Sequence, residues 1–107
     1  MATVRSQISF VVLYVEDLNA SRAFYEKTLG FKVKQSDDGY VEFATDGVPL
    51  ALMSLTAAAD LTGQKPRKGS APRFSLSLGE VPDVDKAYKE LSTAGVNFLK
   101  APMSQPW

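Results

Sequence analysis

The chain has 107 residues, enough for one domain, with 12 basic and 12 acidic side chains in balance, 45% hydrophobic residues, and neither cysteine nor histidine. The charge balance leaves no global field to draw in nucleic acid or an anionic membrane surface. The missing residue types exclude disulfides, thiolate metal sites and a thiol nucleophile, and equally a His-based triad, His-ligated zinc or an imidazole base.

The opening "MATVRSQISFVV" lacks the long apolar segment of a signal peptide or membrane span, so a soluble, cytoplasmic protein is expected. Residues 8 to 15, "ISFVVLYV", are β-branched and aromatic and read as a buried strand. Asp17 stands where a helix N-cap would. Ala20, Phe24, Tyr25 and Leu29 form the apolar side of the helix that follows, and Gly30 is its left-handed stop. "FKVKQ" (31 to 35) and "YVEFAT" (40 to 45) alternate with period two around an Asp-Asp-Gly turn and read as a hairpin. On the second of these strands Tyr40 and Glu42 share a face, which is expected to be the solvent side. "VPLALMSL" (48 to 55) is a further strand, irregular at Pro49. The first module, residues 1 to 55, is therefore β-α-β-β-β.

Residues 56 to 72 read as a linker with one helical turn. Lys65, Arg67, Lys68 and Arg73 cluster there without an acid; a solvated loop is the reading favoured over a phosphate site. "RFSLSL" (73 to 78) restarts the sheet. Asp83 caps a second helix with Val84, Ala87, Tyr88 and Leu91 at i, i+3, i+4 and i+7, Gly95 ends it, and "VNFL" (96 to 99) is the next strand. The second module, 73 to 107, is thus β-α-β only.

The two halves repeat. Asp17 and Asp83 lie 66 residues apart, whereas Gly30 and Gly95 lie 65 apart, so the second helix is one residue shorter. Each half lays a helix on one face of a small sheet. Pairing two such sheets would shelter the free faces around a cleft, an α+β architecture.

The pattern "VxDLxxSxxFYxxxLGF", carried by Val15, Asp17, Leu18, Ser21, Phe24, Tyr25, Leu29, Gly30 and Phe31, resembles the opening signature of the glyoxalase, bleomycin-resistance and extradiol-dioxygenase (vicinal oxygen chelate) superfamily. "VPDVDKAYKELSTAGV" resembles the start of that family's second module. The resemblance implies paired βαβββ modules forming a curved mixed sheet around a cleft, here with the last strands of the second module lacking, and usually a homodimer. Its metal-dependent members carry a ligand seven residues before each conserved Asp, which here gives Phe10 and Leu76. A third ligand aligns near Ala51, and the fourth falls in strands this chain does not reach. Phenyl, methyl and isobutyl groups offer a cation no donor, so neither metal nor other cofactor is expected.

If Phe10 faces the cleft, alternation turns Val12 and Tyr14 the same way, with Ala51 and Met53 from the fourth strand. Such a lining suits a small apolar or aromatic molecule; the same side chains equally fill a closed core. Trp107, in "QPW", resembles the segment near the family's pocket mouth, and a chain end or dimer contact is as good a reading. Asp17 and Asp83 are explained as caps and Asp37 and Asp38 as turn formers. Glu16 and Glu80 could reach the rim, but no pattern pairs two carboxylates as acid and base, so no catalytic residue is assigned. The leading expectation is metal-independent small-molecule binding, with resistance by sequestration as its family counterpart. The alternatives are a lyase, isomerase or dioxygenase using unrecognised ligands, and a module kept for assembly.

Overall fold

A computed structural model describes residues 6–64, 66 and 81–104 of the chain. The chain divides into two compact units, Met1–Ser70 and Ala71–Trp107.

In the first unit, β1 (Val11–Val15) is followed by α1 (Leu18–Ala23), which runs directly into a π-helical turn (Phe24–Thr28), then β2 (Lys32–Asp37), β3 (Tyr40–Ala44), β4 (Leu50–Ser54) and α2 (Leu55–Thr62). The sheet order is β1-β4-β3-β2, with β1 parallel to β4 and the other pairs antiparallel. This is the β-α-β-β-β order the sequence pattern implies, in an open mixed sheet. One face is the core. Val41, Phe43, Leu50 and Leu52 are buried there, and Val11, Leu13, Val15, Leu18, Tyr25, Phe31 and Val33 pack against them. The rings of Tyr25, Phe31 and Phe43 stand 5.7 to 6.1 Å apart, tilted or edge-on, as aromatic quadrupoles prefer. Burial of each large side chain here stabilises by about 1.5–3 kcal/mol.

Helix α1 starts where the sequence places it: the Asp17 side chain accepts from the Ala20 amide at 3.0 Å. Its apolar side differs from expectation. Leu18 and Tyr25 reach the core, whereas Ala20 is exposed and Phe24 is 38% exposed. A side chain at 18 shares its helix face with 21 and 25, and Phe24 falls at the shoulder, where it meets Tyr25 edge-on at 5.3 Å.

The strand 48 to 55 is shorter at both ends. Pro49 stays outside it, although its carbonyl accepts from Val11, and Ser54, the last residue of β4, also caps α2, its hydroxyl accepting from the Ala57 amide at 3.1 Å. Helix α2 occupies part of the expected linker and is longer than one turn, because its Ala58 is fully buried and Gly63 closes it with φ 83°.

In the second unit α3 (Val84–Thr93) is capped by Asp83, which accepts from Lys86 at 3.0 Å. Residues 96 to 99 do not form the expected strand. Gly95 turns left-handed at φ 100°, its amide donates to Ser92 and the Val96 amide donates to Leu91, closing the helix as a Schellman motif. The Phe98 ring packs tilted against Tyr88 at 4.7 Å, and among the described residues no strand pairs with 96–99. The expected strand at 73 to 78, Leu76, Glu80 and the basic cluster lie outside the described residues, as does Trp107. Among the described residues no helix is long and apolar enough to cross a membrane.

Candidate functional site

Cross-strand register sorts the sheet's side chains into two faces. Val12 pairs with Ala51, Ala51 with Glu42, and Glu42 with Gln35; one step along, Tyr14 pairs with Met53, Met53 with Tyr40, and Tyr40 with Asp37. These residues all lie on the face turned away from the core. Of the residues singled out from the sequence, Val12, Tyr14, Ala51 and Met53 are therefore neighbours on one surface, with Phe10 just ahead of β1.

Their exposure is unequal. Phe10 is 48% exposed, Tyr14 46% and Val12 37%, while Ala51 is fully buried and Met53 partly so. Among the described residues β1 lies at the edge of the sheet, and its burial alternates residue by residue. The central strands are covered on both faces, which is why "LAL" in β4 reads as an unbroken apolar run.

Glu42 departs from expectation. It lies on the face that alternation assigned to it, yet it is only 1% exposed rather than solvated. Period-two alternation reports which side of a sheet a residue is on, and that side is covered at the middle of β3. A carboxylate so placed needs partners. Gln35 Nε2 donates to Glu42 Oε1 at 2.8 Å, and the Tyr40 hydroxyl donates weakly to the same oxygen at 3.4 Å. The Lys34 ammonium stands 3.5 Å from Oε2, close enough to oppose its charge but at the outer limit of hydrogen-bond distance, and Oε2 is buried without a hydrogen bond.

A β-bulge makes this cluster possible. Val33 pairs with Phe43 and Gln35 with Glu42, so β2 spends two residues, Lys34 and Gln35, against one step of β3. The extra residue breaks strict alternation, and both side chains turn toward Glu42. No sequence pattern marks a bulge; the only available sign was a basic and an amide residue in succession opposite an acid. Burial raises the Tyr40 phenol above its ordinary pKa of 10.0, with smaller contributions from the Glu42 charge, the hydrogen bond to Glu42 and the Asp37 charge. Beside these residues lies a depression of about 160 Å³ lined by Gln35, Ser36, Asp37 and Tyr40.

The two of the family's metal positions that lie among the described residues do not fit a divalent cation. Phe10 and Ala51 carry no donor atom. Glu16, at the end of β1, is exposed.

The fold has close counterparts. A glyoxalase/bleomycin resistance protein/dioxygenase from Nocardioides superposes with a TM-score of 0.80 at 28% identity, over 99% of this chain and 73% of that one. Lactoylglutathione lyase from Agrobacterium tumefaciens shares the fold with a TM-score of 0.67 at 21% identity, over 91% and 76% of the two chains. In sequence, uncharacterized protein YetH of Bacillus subtilis (strain 168) is 26% identical over 106 residues, 94% of this chain and 82% of its own. The family model of the Glyoxalase/Bleomycin resistance protein/Dioxygenase superfamily matches residues 7–107, and the chain belongs to that superfamily.

Proposed function

We propose that this protein binds a flat, apolar or aromatic small molecule without a metal, in the manner of a sequestering member of its superfamily. The observation that carries this reading is the outer face of β1. Phe10, Val12 and Tyr14 are held partly out of the fold, Tyr14 opposite Met53, although the sheet buries comparable side chains on its other face. A phenyl, an isopropyl and a phenol in a row offer stacking surface and one hydroxyl, the make-up of a site for a planar ligand.

The test is a fluorescence or thermal-shift screen against planar aromatic compounds, followed by substitution. Binding by the wild type that weakens about fivefold or more in Phe10→Ala and Tyr14→Ala, with unfolding midpoints nearly unchanged, is the expected result. No shift with any planar compound would count against the reading.

A further inference from the structure

We infer that Glu42 and the depression beside it recognise a positively charged nitrogen on the ligand, and that Lys34 occupies that place in the free protein. The inference deepens the proposed planar-ligand site and rests on it.

Three observations converge. Glu42 is a carboxylate 1% exposed on the same sheet face as Val12, Tyr14 and Met53, and its Oε2 has no hydrogen bond. A purely structural carboxylate in that position would be expected to have both oxygens satisfied, since each unmet acceptor costs free energy. Its countercharge is a side chain that is 61% exposed and stands 3.5 Å away, a long contact for an ion pair. An ammonium on a flexible, hydrated stem leaves such a position cheaply. Finally, Gln35 and Tyr40, which hold Oε1, are also two of the four walls of the 160 Å³ depression, and a third wall is the carboxylate residue Asp37. That volume suits a head group rather than a whole ligand. Its lining combines a carboxylate, an amide, a hydroxyl and a phenol ring, all able to face a cation.

The spacing links head group to body. Tyr14, Met53 and Tyr40 lie on one line across three strands, two inter-strand steps or about 10 Å end to end. A fused aromatic system of two or three rings covers that distance. Its body would lie against Tyr14 and Met53 while its charged nitrogen meets Tyr40 and Glu42. Entry of the cation displaces the Lys34 ammonium, so Glu42 exchanges one countercharge for another and is never left as an uncompensated buried charge.

The experiment uses two planar probes of nearly the same shape with the nitrogen in an end ring, N-methylquinolinium (permanently cationic) and quinoline (neutral at about pH 7.5), titrated by calorimetry against the whole chain. The wild type is expected to bind the cation about tenfold more tightly. Glu42→Gln keeps the acceptor for Gln35 and should erase the preference by weakening the cation alone. Lys34→Met keeps the apolar stem but removes the competing ammonium. It should bind the cation more tightly than the wild type and gain more thermal stability from it, a response a merely structural ion pair would not give. Equal affinity for the two probes would overturn the inference and leave the planar-ligand reading standing. A preference that survives Glu42→Gln, or weaker cation binding by Lys34→Met, would also overturn it. Binding of neither probe would remove both.

Discussion

Glu42 and Tyr40 show how one buried charge rearranges its neighbours. The carboxylate is withdrawn from water and compensated by an amide, a phenol and an ammonium from β2 and β3. Tyr40 answers with a raised pKa, since burial and the nearby acidic charges disfavour a second anion. Tyr25, packed among Phe31 and Phe43, is raised by burial alone. The consequence for stability has a definite sign. A phenol that holds its proton more tightly folded than unfolded contributes stability that is fully present below the unfolded value of 10.0 and is lost as pH rises through the folded value. Urea midpoints should therefore fall as pH climbs above 10. Tyr40→Phe should reduce that fall without abolishing it, because Tyr25 still titrates. An alkaline profile identical in wild type and variant would contradict the placement of Tyr40 beside Glu42.

The elements record the repeat, and its one irregularity has a structural counterpart. The first helical segment holds one residue more between its cap Asp and its terminal Gly than the second. The extra residue is taken up by the π-helical turn at Phe24–Thr28. The Leu29 amide reaches back five residues to Phe24, and Phe31 six to Tyr25. In α3 the corresponding bonds, Ala94 to Glu90 and Val96 to Leu91, reach back four and five. A single insertion inside an α-helix is accommodated in this way without disturbing either end. Both helices thus keep an Asp cap at 3.0 Å and a left-handed glycine.

A second element-scale contact lies at Gly39, in the turn between β2 and β3. Its carbonyl accepts from Ser54, and a Cβ there would meet the Ala57 Cβ of α2 at 2.9 Å and Ser54 Oγ at 3.3 Å. Gly39→Ala should cost about 1–3 kcal/mol, because backbone-anchored carbon must shift. Gly47→Ala, where a Cβ meets nothing within 4 Å, is the control and should be nearly silent. Chemical denaturation of the two variants measures the difference; equal midpoints would mean that α2 does not approach the hairpin this closely.

At the scale of the molecule, the sheet separates stability from the proposed binding. Leu52 is fully exposed to the core and closed to water, so Leu52→Ala should lose about 2–5 kcal/mol. Tyr14, two residues along the neighbouring strand from Val12 and 46% exposed, should lose far less when truncated. Guanidinium unfolding of both variants tests the division, and comparable losses would place Tyr14 in a packed core instead.

Much of this architecture was legible in the chain. Period-two alternation assigned Val12, Tyr14, Ala51 and Met53 to one face, and Asp17, Asp83, Gly30 and Gly95 marked both ends of two helices, because caps and pleats are properties of neighbouring residues. The burial of Glu42 was not legible. It depends on a bulge at Lys34 and on what covers the middle of β3, and neither leaves a local trace. The unformed strand at 96–99 has the same cause: β-propensity marks residues able to pair, but a strand exists only where another chain segment supplies the hydrogen bonds. By itself the sequence determined the β-α-β-β-β order of the first unit, the side on which the side chains of β1, β3 and β4 stand, and the superfamily; α2 and the bulge in β2 were not in it. Only the tertiary structure decided which of those sides is dry, because burial is set by residues distant in the chain.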